Sequence, residues 1–149
     1  MTRDELIAAV GQPLGTSRWY EMPQGRLDQF ADVTEDWQFI HLDAERTKAE
    51  TPFGGTVAHG FLTLSMLSAM SYDVMPDPEG ATSGLNYGFD RLRFVAPVPS
   101  GSRVRGHFVL KAAENKGPDR LLLTVAVTVE IEGSETPAIV ADWLNMFLF

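Results

Sequence analysis

Apolar residues dominate one continuous segment near the middle of the chain, residues 57–71, with the sequence VAHGFLTLSMLSAMS. His59 is its only side chain that can carry a charge, and apolar residues point in nearly every direction around a helical projection. This pattern is typical of a helix buried on all sides. The segment is too short and too rich in hydroxyl groups for a membrane span. We therefore predict a buried central helix and no membrane partner.

From residue 85 to the end of the chain, apolar residues alternate with polar ones, which is the pattern of β-strands. Between residues 121 and 131 one face is made only of Leu, Val and Ile, so that face should be buried. The final segment is apolar on both faces, and burial of both is expected. Turns that contain Gly or Pro separate the segments. We predict four strands, at residues 85–98, 102–114, 121–131 and 138–149.

The N-terminal half is predicted to contain short helices and irregular segments. A short strand or extended entry precedes a helix whose apolar residues share one side. A bend with the sequence WQFIH follows, and after it Asp43 is placed to cap a second, shorter helix. The predicted elements are the strand 14–22, the helix 25–36, the bend 37–41, the helix 44–49 and a glycine-rich turn at 53–56.

Helices followed by four consecutive strands define an α+β fold, in which an antiparallel sheet packs on one long helix. A strongly curved sheet wrapped around the central helix would bury that helix. A single sheet cannot cover a helix on all sides, so we predict that a second copy completes the burial in a homodimer. A length of 149 residues suits one domain that spans residues 1–149.

Composition and charge exclude several classes of protein. The net charge of −8 argues against nucleic acid as the main partner, although a small phosphate-bearing ligand needs only a local basic patch. The absence of cysteine excludes disulfides and thiolate metal sites. The first residues, MTRDELIAAV, include acids and no long apolar core, unlike a signal peptide. We therefore expect a cytoplasmic protein.

One short stretch, TEDWQFIH at residues 34–41, places an acid and a histidine on either side of an apolar run. Asp36 and His41 are five residues apart. That spacing separates two side chains by roughly 140° on a helix and points them to opposite faces of a strand. Only a bent segment brings both to one pocket. From spacing alone, a loop carboxylate and a histidine bonded to the backbone form the simpler interpretation.

A second stretch, TVAHGF at residues 56–61, follows the glycine-rich turn and opens the predicted central helix. Amides in the first turn of a helix lack intrahelical acceptors and lie at the positive end of the helix dipole. The N–H of Gly60 could therefore donate to an oxyanion, and glycine lets a substrate approach the backbone closely. The alternative is that the glycines only allow a tight turn and close packing of the helix.

Taken together, the two stretches resemble the motif of the MaoC-like dehydratases, the (R)-specific enoyl-CoA hydratases of hot-dog fold. The resemblance runs through FADVTEDWQFIHLDAERTKAETPFGGTVAHGFLTLSML, residues 30–67, and NYGFDRLRFVAPVPSGSRV, residues 86–104, resembles the family's first long strand and the turn after it. Glu35 stands where the family most often has Gly, and Gln38 and Phe39 stand where Asn and Pro are usual.

The resemblance implies a hydro-lyase that adds water to a trans-2-enoyl thioester, giving the (3R)-hydroxyacyl thioester, or runs the reverse. It implies that His41 is the base, that Asp36 holds and helps activate the water, and that the Gly60 N–H binds the thioester oxyanion. The addition is then syn. No cofactor is expected beyond the coenzyme A of the substrate. No metal is expected either, because His41, His59 and His107 show no metal-ligand spacing.

The implied substrate, an acyl-CoA or an acyl-carrier-protein thioester, carries phosphate groups that basic residues could bind. Arg91 and Arg93 are two residues apart and share one strand face, as do Arg103 and Arg105, and either pair could bind a phosphate. The alternative is that these are ordinary surface arginines. The residues expected to bind substrate are Gln38, His59, Leu64, Ser68, Arg91 and Arg93.

Two other functions fit the same scaffold. Hot-dog thioesterases usually lack the Asp and His segment and use a carboxylate on the central helix, whereas residues 56–72 contain no acid. A noncatalytic acyl-thioester binder, like the nodulation-type relatives of this family, is the third possibility. The presence of both Asp36 and His41 argues against a binder without excluding it.

Overall fold

Six antiparallel strands form one curved sheet in the computed structural model, which describes residues 1–149. The predicted α+β architecture is confirmed. The sheet order is β1-β4-β5-β6-β3, and β2 also pairs with β4. The helices are α1 Arg3–Ala8, α2 Gln24–Thr34, α3 Phe39–Leu42, α4 Ala44–Glu50 and α5 Gly60–Tyr72, and the strands are β1 Pro13–Thr16, β2 Tyr20–Glu21, β3 Ser83–Phe94, β4 Arg103–Asn115, β5 Arg120–Ile131 and β6 Ile139–Leu148.

The alternating pattern of the C-terminal half corresponds to strands β3 to β6. Side chains of β5 on the predicted apolar face are all buried, because that face packs against the helical layer. Burial on both faces of β6 is largely confirmed as well. The predicted strand at 14–22 is interrupted, since β1 and β2 pair separately with β4. The sequence pattern did not predict α1, which a capping box between Thr2 and Glu5 begins.

The central helix α5 begins at Gly60 and not at residue 57 as predicted. Residues before Gly60 are held in extended backbone, because Val57 forms an isolated bridge with Pro99 and the Ala58 N–H donates to the Val98 carbonyl at 2.8 Å. An extended segment therefore leads into the first turn of the helix.

Only one side of α5 is buried within the chain. Leu62, Leu67 and Met70 belong to the main hydrophobic core beneath the sheet, whereas Phe61 and Tyr72 are 67% and 88% exposed. The single chain leaves the other side uncovered, as expected because one sheet covers one side of a helix, and burial of that side by a second copy stays a prediction. The helix still approaches the sheet closely, since a Cβ built on Gly106 of β4 would lie 3.2 Å from Met70 Sδ.

Strand β3 lies at the end of the sheet and pairs only with β6. Its outer edge therefore carries backbone N–H and C=O groups without a strand partner. Several large apolar side chains on or beside this strand are exposed. They are Leu85 at 50%, Tyr87 at 63%, Phe94 at 48% and Val95 at 47%. None of the helices combines the length and the apolar character that crossing a membrane requires.

Candidate active site

A sharp bend after α2 places Asp36 opposite His41. Glu35 ends α2 with φ 59°, the only positive φ outside glycine, and the chain reverses there. This conformation costs a residue with a Cβ about 1–2 kcal/mol, which explains why glycine is usual at this position in the family that the motif resembles. The Gln38 N–H then donates to the Asp36 carboxylate at 3.3 Å, and α3 begins at Phe39. The predicted bend is confirmed.

The bend brings three potential ligand or proton-transfer groups together. A carboxylate oxygen of Asp36 and one ring nitrogen each of His41 and His59 all lie within 4.8 Å of one another. The carboxylate is exposed while both imidazoles are buried, so the cluster lies at the boundary between solvent and core. These groups could in principle hold a cation. Sequence spacing missed the cluster because His59 lies on a different element. The absence of a metal requirement stays a prediction.

The His41 ring is held in one tautomer. Its Nδ1 lies 2.6 Å from the Val57 carbonyl oxygen, which can only accept, so Nδ1 carries the hydrogen and donates it. Nε2 is left with a free lone pair. The backbone around it is also fixed, because the Val57 N–H donates to the Ile40 carbonyl at 3.0 Å. The arrangement presents Nε2 as a base.

Burial lowers the pKa of His41 from its ordinary value of 6.5, because the imidazolium form loses solvation. The hydrogen bond to Val57 raises this pKa, the nearby His59 lowers it, and the nearby Asp36 carboxylate raises it, each by less than burial. The net shift is downward, so His41 is neutral over most of the physiological range. A neutral imidazole is the form that can accept a proton.

The imidazole ring of His59 packs against the ring of His41. The two rings stack with centroids 3.7 Å apart, and Phe30 packs against His59 from the side at 4.9 Å. His59 Nε2 lies 3.1 Å from the backbone carbonyl of Asp36 and therefore donates to it. His59 Nδ1 is buried without a partner. His59 thus connects the start of α5 to the Asp36 bend, and its predicted contact with substrate stays a prediction.

Gly60 lines a cavity of about 290 Å³ together with His41, and the walls are mostly apolar. The N–H groups of Gly60 and Phe61 have no acceptor within the protein, as expected for the first turn of a helix. A Cβ on Gly60 would lie 3.0 Å from the Phe94 ring, so any larger residue would crowd that ring at the wall of the cavity. The cavity thus contains a base and a free amide donor.

Gln24, at the start of α2, connects the parts of the site and was not predicted from the sequence. Its Nε2 donates to the His41 carbonyl at 2.7 Å, and its Oε1 accepts from the Thr56 hydroxyl at 2.6 Å. One side chain therefore connects α2, the His41 turn and the segment before α5. No local sequence pattern could have predicted this bridging role, because both hydrogen-bond partners of Gln24 are distant in sequence.

Leu64 and Ser68 line a second cavity, of about 200 Å³, farther along α5. The structure therefore places them beside the helix as predicted, outside the cavity of His41 and Gly60. Gln38 occupies the N-cap position of α3 without a side-chain capping hydrogen bond, and it is exposed, two residues after Asp36. Contact of these three residues with substrate stays a prediction.

Arg91 and Arg93 lie on the sheet face turned away from α5. They pair with Asp142 and Val140 of β6, whereas the alternate positions of β3 face core residues of β6. Both arginines are exposed. A thioester with its acyl end in the cavity of His41 must therefore pass around the free edge of β3 to bring its phosphate to these arginines. Their role in phosphate binding stays a prediction.

The other arginine pair is already engaged within the protein. Arg103 bonds to Glu132, and Arg105 Nε donates to Glu130 at 2.7 Å. Both guanidinium groups also lie over the Trp19 ring. These ion pairs leave Arg103 and Arg105 less available to a phosphate than Arg91 and Arg93.

A curved antiparallel sheet on a central helix, with an acid and a histidine meeting the first turn of that helix, defines a MaoC-like domain. The chain belongs to this family, because the family model described as MaoC like domain matches residues 5–132. The resemblance predicted from the two sequence stretches is confirmed.

Individual relatives cover nearly the whole chain. A nodulation protein N from Rhizobium leguminosarum bv. viciae is 53% identical over 145 residues, which are 97% of this chain and 90% of the relative. The 3-hydroxyacyl-thioester dehydratase Z of Mycobacterium tuberculosis is 45% identical over 138 residues, 93% of this chain and 90% of the relative. A solved structure of the (R)-hydratase from A. caviae involved in PHA biosynthesis is similar with a TM-score of 0.74 at 23% identity, over 91% of this chain and 94% of the other. The predicted hot-dog fold is confirmed.

Proposed function

We propose that the protein is a hydro-lyase that interconverts trans-2-enoyl and (3R)-hydroxyacyl thioesters. The observation that carries the proposal is the position of His41, whose ring has a carboxylate oxygen of Asp36 within 4.8 Å and which lines one cavity together with Gly60, whose N–H is free. A relative 45% identical to this chain is named a 3-hydroxyacyl-thioester dehydratase, which supports the same chemistry.

In the proposed hydration, the thioester carbonyl accepts a hydrogen bond from the Gly60 N–H. A water held by Asp36 gives a proton to His41 Nε2 while its oxygen bonds to the β-carbon. The electron pair of the double bond moves to the thioester oxygen, and the amide stabilises that negative charge. The proton then passes from the imidazolium to the α-carbon, which gives syn addition. Dehydration is the reverse sequence.

A thioesterase that uses an acid on the central helix fits this chain less well. Helix α5 contains no Asp or Glu, so it supplies no such carboxylate. A noncatalytic thioester binder shares the fold, and the 53% identical nodulation protein N has a name that states no reaction. Turnover separates the hydro-lyase from the binder.

We also propose that the protein is a homodimer, with an acyl-CoA or acyl-carrier-protein thioester as its ligand. The unpaired edge of β3 and the exposed face of α5 support this, since both expose apolar side chains. An edge strand of this kind is suited to pairing with a second copy. The uncovered side of α5, with Phe61 and Tyr72, then becomes buried between the subunits.

The direct test is hydration of crotonyl-CoA and of trans-2-dodecenoyl-CoA by the purified protein, followed by loss of enoyl absorbance. We expect turnover with the (3R)-hydroxyacyl product, identified by chiral chromatography. The (3S) product would contradict the proposed geometry. Binding of both thioesters by calorimetry without any turnover would favour the noncatalytic binder, and release of free coenzyme A would favour a thioesterase.

The pH dependence of kcat/KM should report the protonation of His41 in the free enzyme. Because burial lowers its pKa, more than half of His41 is neutral at pH 6.5, and activity should fall only as the pH drops below that value. We expect the acid limb of the profile below pH 6.5. The folded state should also lose stability there, because the unfolded chain binds a proton that folded His41 resists. An acid limb above pH 6.5 would show that another group is the base.

A further inference from the structure

A closed set of hydrogen bonds surrounds the backbone of the candidate base. His41 Nδ1 donates to the Val57 carbonyl at 2.6 Å, and the hydroxyl of the preceding residue, Thr56, donates to Gln24 Oε1 at 2.6 Å. Gln24 Nε2 donates to the His41 carbonyl at 2.7 Å and completes the set. We call these four residues, Gln24, His41, Thr56 and Val57, the Gln24 network.

The two partners of Gln24 in this network need opposite hydrogen-bonding groups. The His41 carbonyl can only accept, and the Thr56 hydroxyl donates its one hydrogen to Oε1. The second hydrogen of Gln24 Nε2 is donated to the Asp28 carboxylate at 2.9 Å. Reversing the amide would place its oxygen against the His41 carbonyl and the Asp28 carboxylate. A side-chain amide in this one orientation therefore satisfies all three partners.

The groups that Gln24 bonds are buried and depend on it. His41 and Thr56 are 7% and 6% exposed, and neither the His41 carbonyl nor the Thr56 hydroxyl bonds to another group of the protein. A buried polar group that loses its partner is unfavourable, because it no longer has water to replace that partner. Without Gln24, the backbone on both sides should shift until these groups reach water or another partner.

The Gln24 network joins the two segments that carry the proposed reacting groups. His41 lies on α3, whereas Thr56 and Val57 lie in the extended segment that leads into α5, where Gly60 is the first residue. Gln24 belongs to α2, outside both segments, and it does not line the cavity of His41 and Gly60. It can therefore set the distance between the segments without contacting a ligand in that cavity.

We propose that Gln24 is a positioning residue, which fixes the distance between the His41 base and the free N–H of Gly60. This inference rests on the proposed function, because the two groups must act on one substrate at the same time. Gln24 contacts no reacting atom and acts through the His41 carbonyl and the Thr56 hydroxyl. A displacement of about 1 Å between groups that act together can lower the rate by about 10²-fold.

The first test measures kcat and KM for crotonyl-CoA hydration in Gln24→Met, which keeps the length of the side chain and removes its hydrogen bonds. We expect kcat to fall by about 10²-fold, with KM within about threefold of wild type because the cavity walls are unchanged. Gln29→Met makes the same substitution at an exposed position of α2 and should match the wild type. Equal losses in both variants, or an unchanged kcat in folded Gln24→Met, would overturn the inference.

The second test removes the bond from the other side and remains available if Gln24→Met does not fold. Thr56→Val deletes the hydroxyl at similar volume and should lower kcat, whereas Thr56→Ser restores the donor and should recover it. The double variant Gln24→Met/Thr56→Val should lose about as much as Gln24→Met alone, because both changes break the same bond. Additive losses, or no recovery in Thr56→Ser, would contradict the proposed role.

A measurement without turnover separates this inference from the proposed function. The hydrogen on His41 Nδ1 should give a downfield proton resonance, because its bond to the Val57 carbonyl slows exchange with water, and the chain has only three histidines. We expect this resonance in the wild type and its shift or loss in Gln24→Met. If the wild type does not hydrate crotonyl-CoA, the proposed function fails, and the resonance then decides whether Gln24 positions His41. An unchanged resonance in Gln24→Met would overturn the inference.

Discussion

His41→Asn is expected to lower kcat/KM for crotonyl-CoA hydration by about 10²–10⁴-fold, the usual range for loss of a general base. The physical reason is the lone pair of Nε2, which has no hydrogen-bond partner in the protein and belongs to a ring that lines the same cavity as Gly60. Asparagine cannot accept and return a proton near neutral pH. The loss should appear mainly in kcat, since the substrate contacts of the apolar walls are unchanged.

The choice of asparagine controls for folding. The Asn side chain can place an N–H near the position of His41 Nδ1, so the hydrogen bond to the Val57 carbonyl can be kept. His41→Ala removes that bond and leaves a cavity beside His59, so part of its effect would be structural. Melting temperature and calorimetric affinity for crotonyl-CoA should stay near the wild-type values in His41→Asn. Activity within about threefold of wild type, with folding intact, would exclude His41 as the base.

Asp36→Asn is expected to reduce kcat/KM for the same substrate by about 10²-fold or more, because the attacking water loses the carboxylate that orients it. The isosteric amide can still accept from the Gln38 N–H, so the bend should persist. The carboxylate also raises the pKa of His41, and its removal should move the acid limb of the residual activity to lower pH.

Glu35→Gln is the matched control for Asp36→Asn. It removes the same charge one residue away and keeps the side-chain size at a position whose φ is 59°. Since Glu35 faces solvent, we expect nearly wild-type activity from this variant. Equal losses in both variants would show that net charge near the bend matters and that Asp36 has no specific role. An unchanged rate in Asp36→Asn would remove the carboxylate from the mechanism.

Much of the fold could be predicted from local patterns in the sequence. The alternation of apolar and polar residues in β5 and the apolar run of α5 can both be read directly from the sequence. This is possible because the burial of a side chain depends first on the geometry of its own element. The awkward spacing of Asp36 and His41 was equally informative, since regular structure excludes their meeting. These features predicted the α+β class, the bend and the MaoC-like family.

Pairing between distant segments was beyond any local pattern. The His41 tautomer depends on the Val57 carbonyl, the ring of His59 stacks on it, and Gln24 bridges to Thr56 from another helix. Each of these contacts joins residues that are at least 16 positions apart in the chain. Hydrophobic periodicity predicts which face of an element is buried, but it does not predict which polar group from a distant segment will bond to that element.

By itself the sequence determined the elements, their α+β order and the two segments that meet at the candidate site. Only the tertiary structure decided that α5 starts at Gly60, which side of this helix is left uncovered, and that Arg91 and Arg93 lie on the sheet face turned away from α5. It alone revealed that the amide nitrogen of Asn145 is buried without a hydrogen-bond partner. The reason is that strand order, register and helix placement result from packing of the whole chain, and they fix the side-chain geometry on which proton transfer and recognition depend.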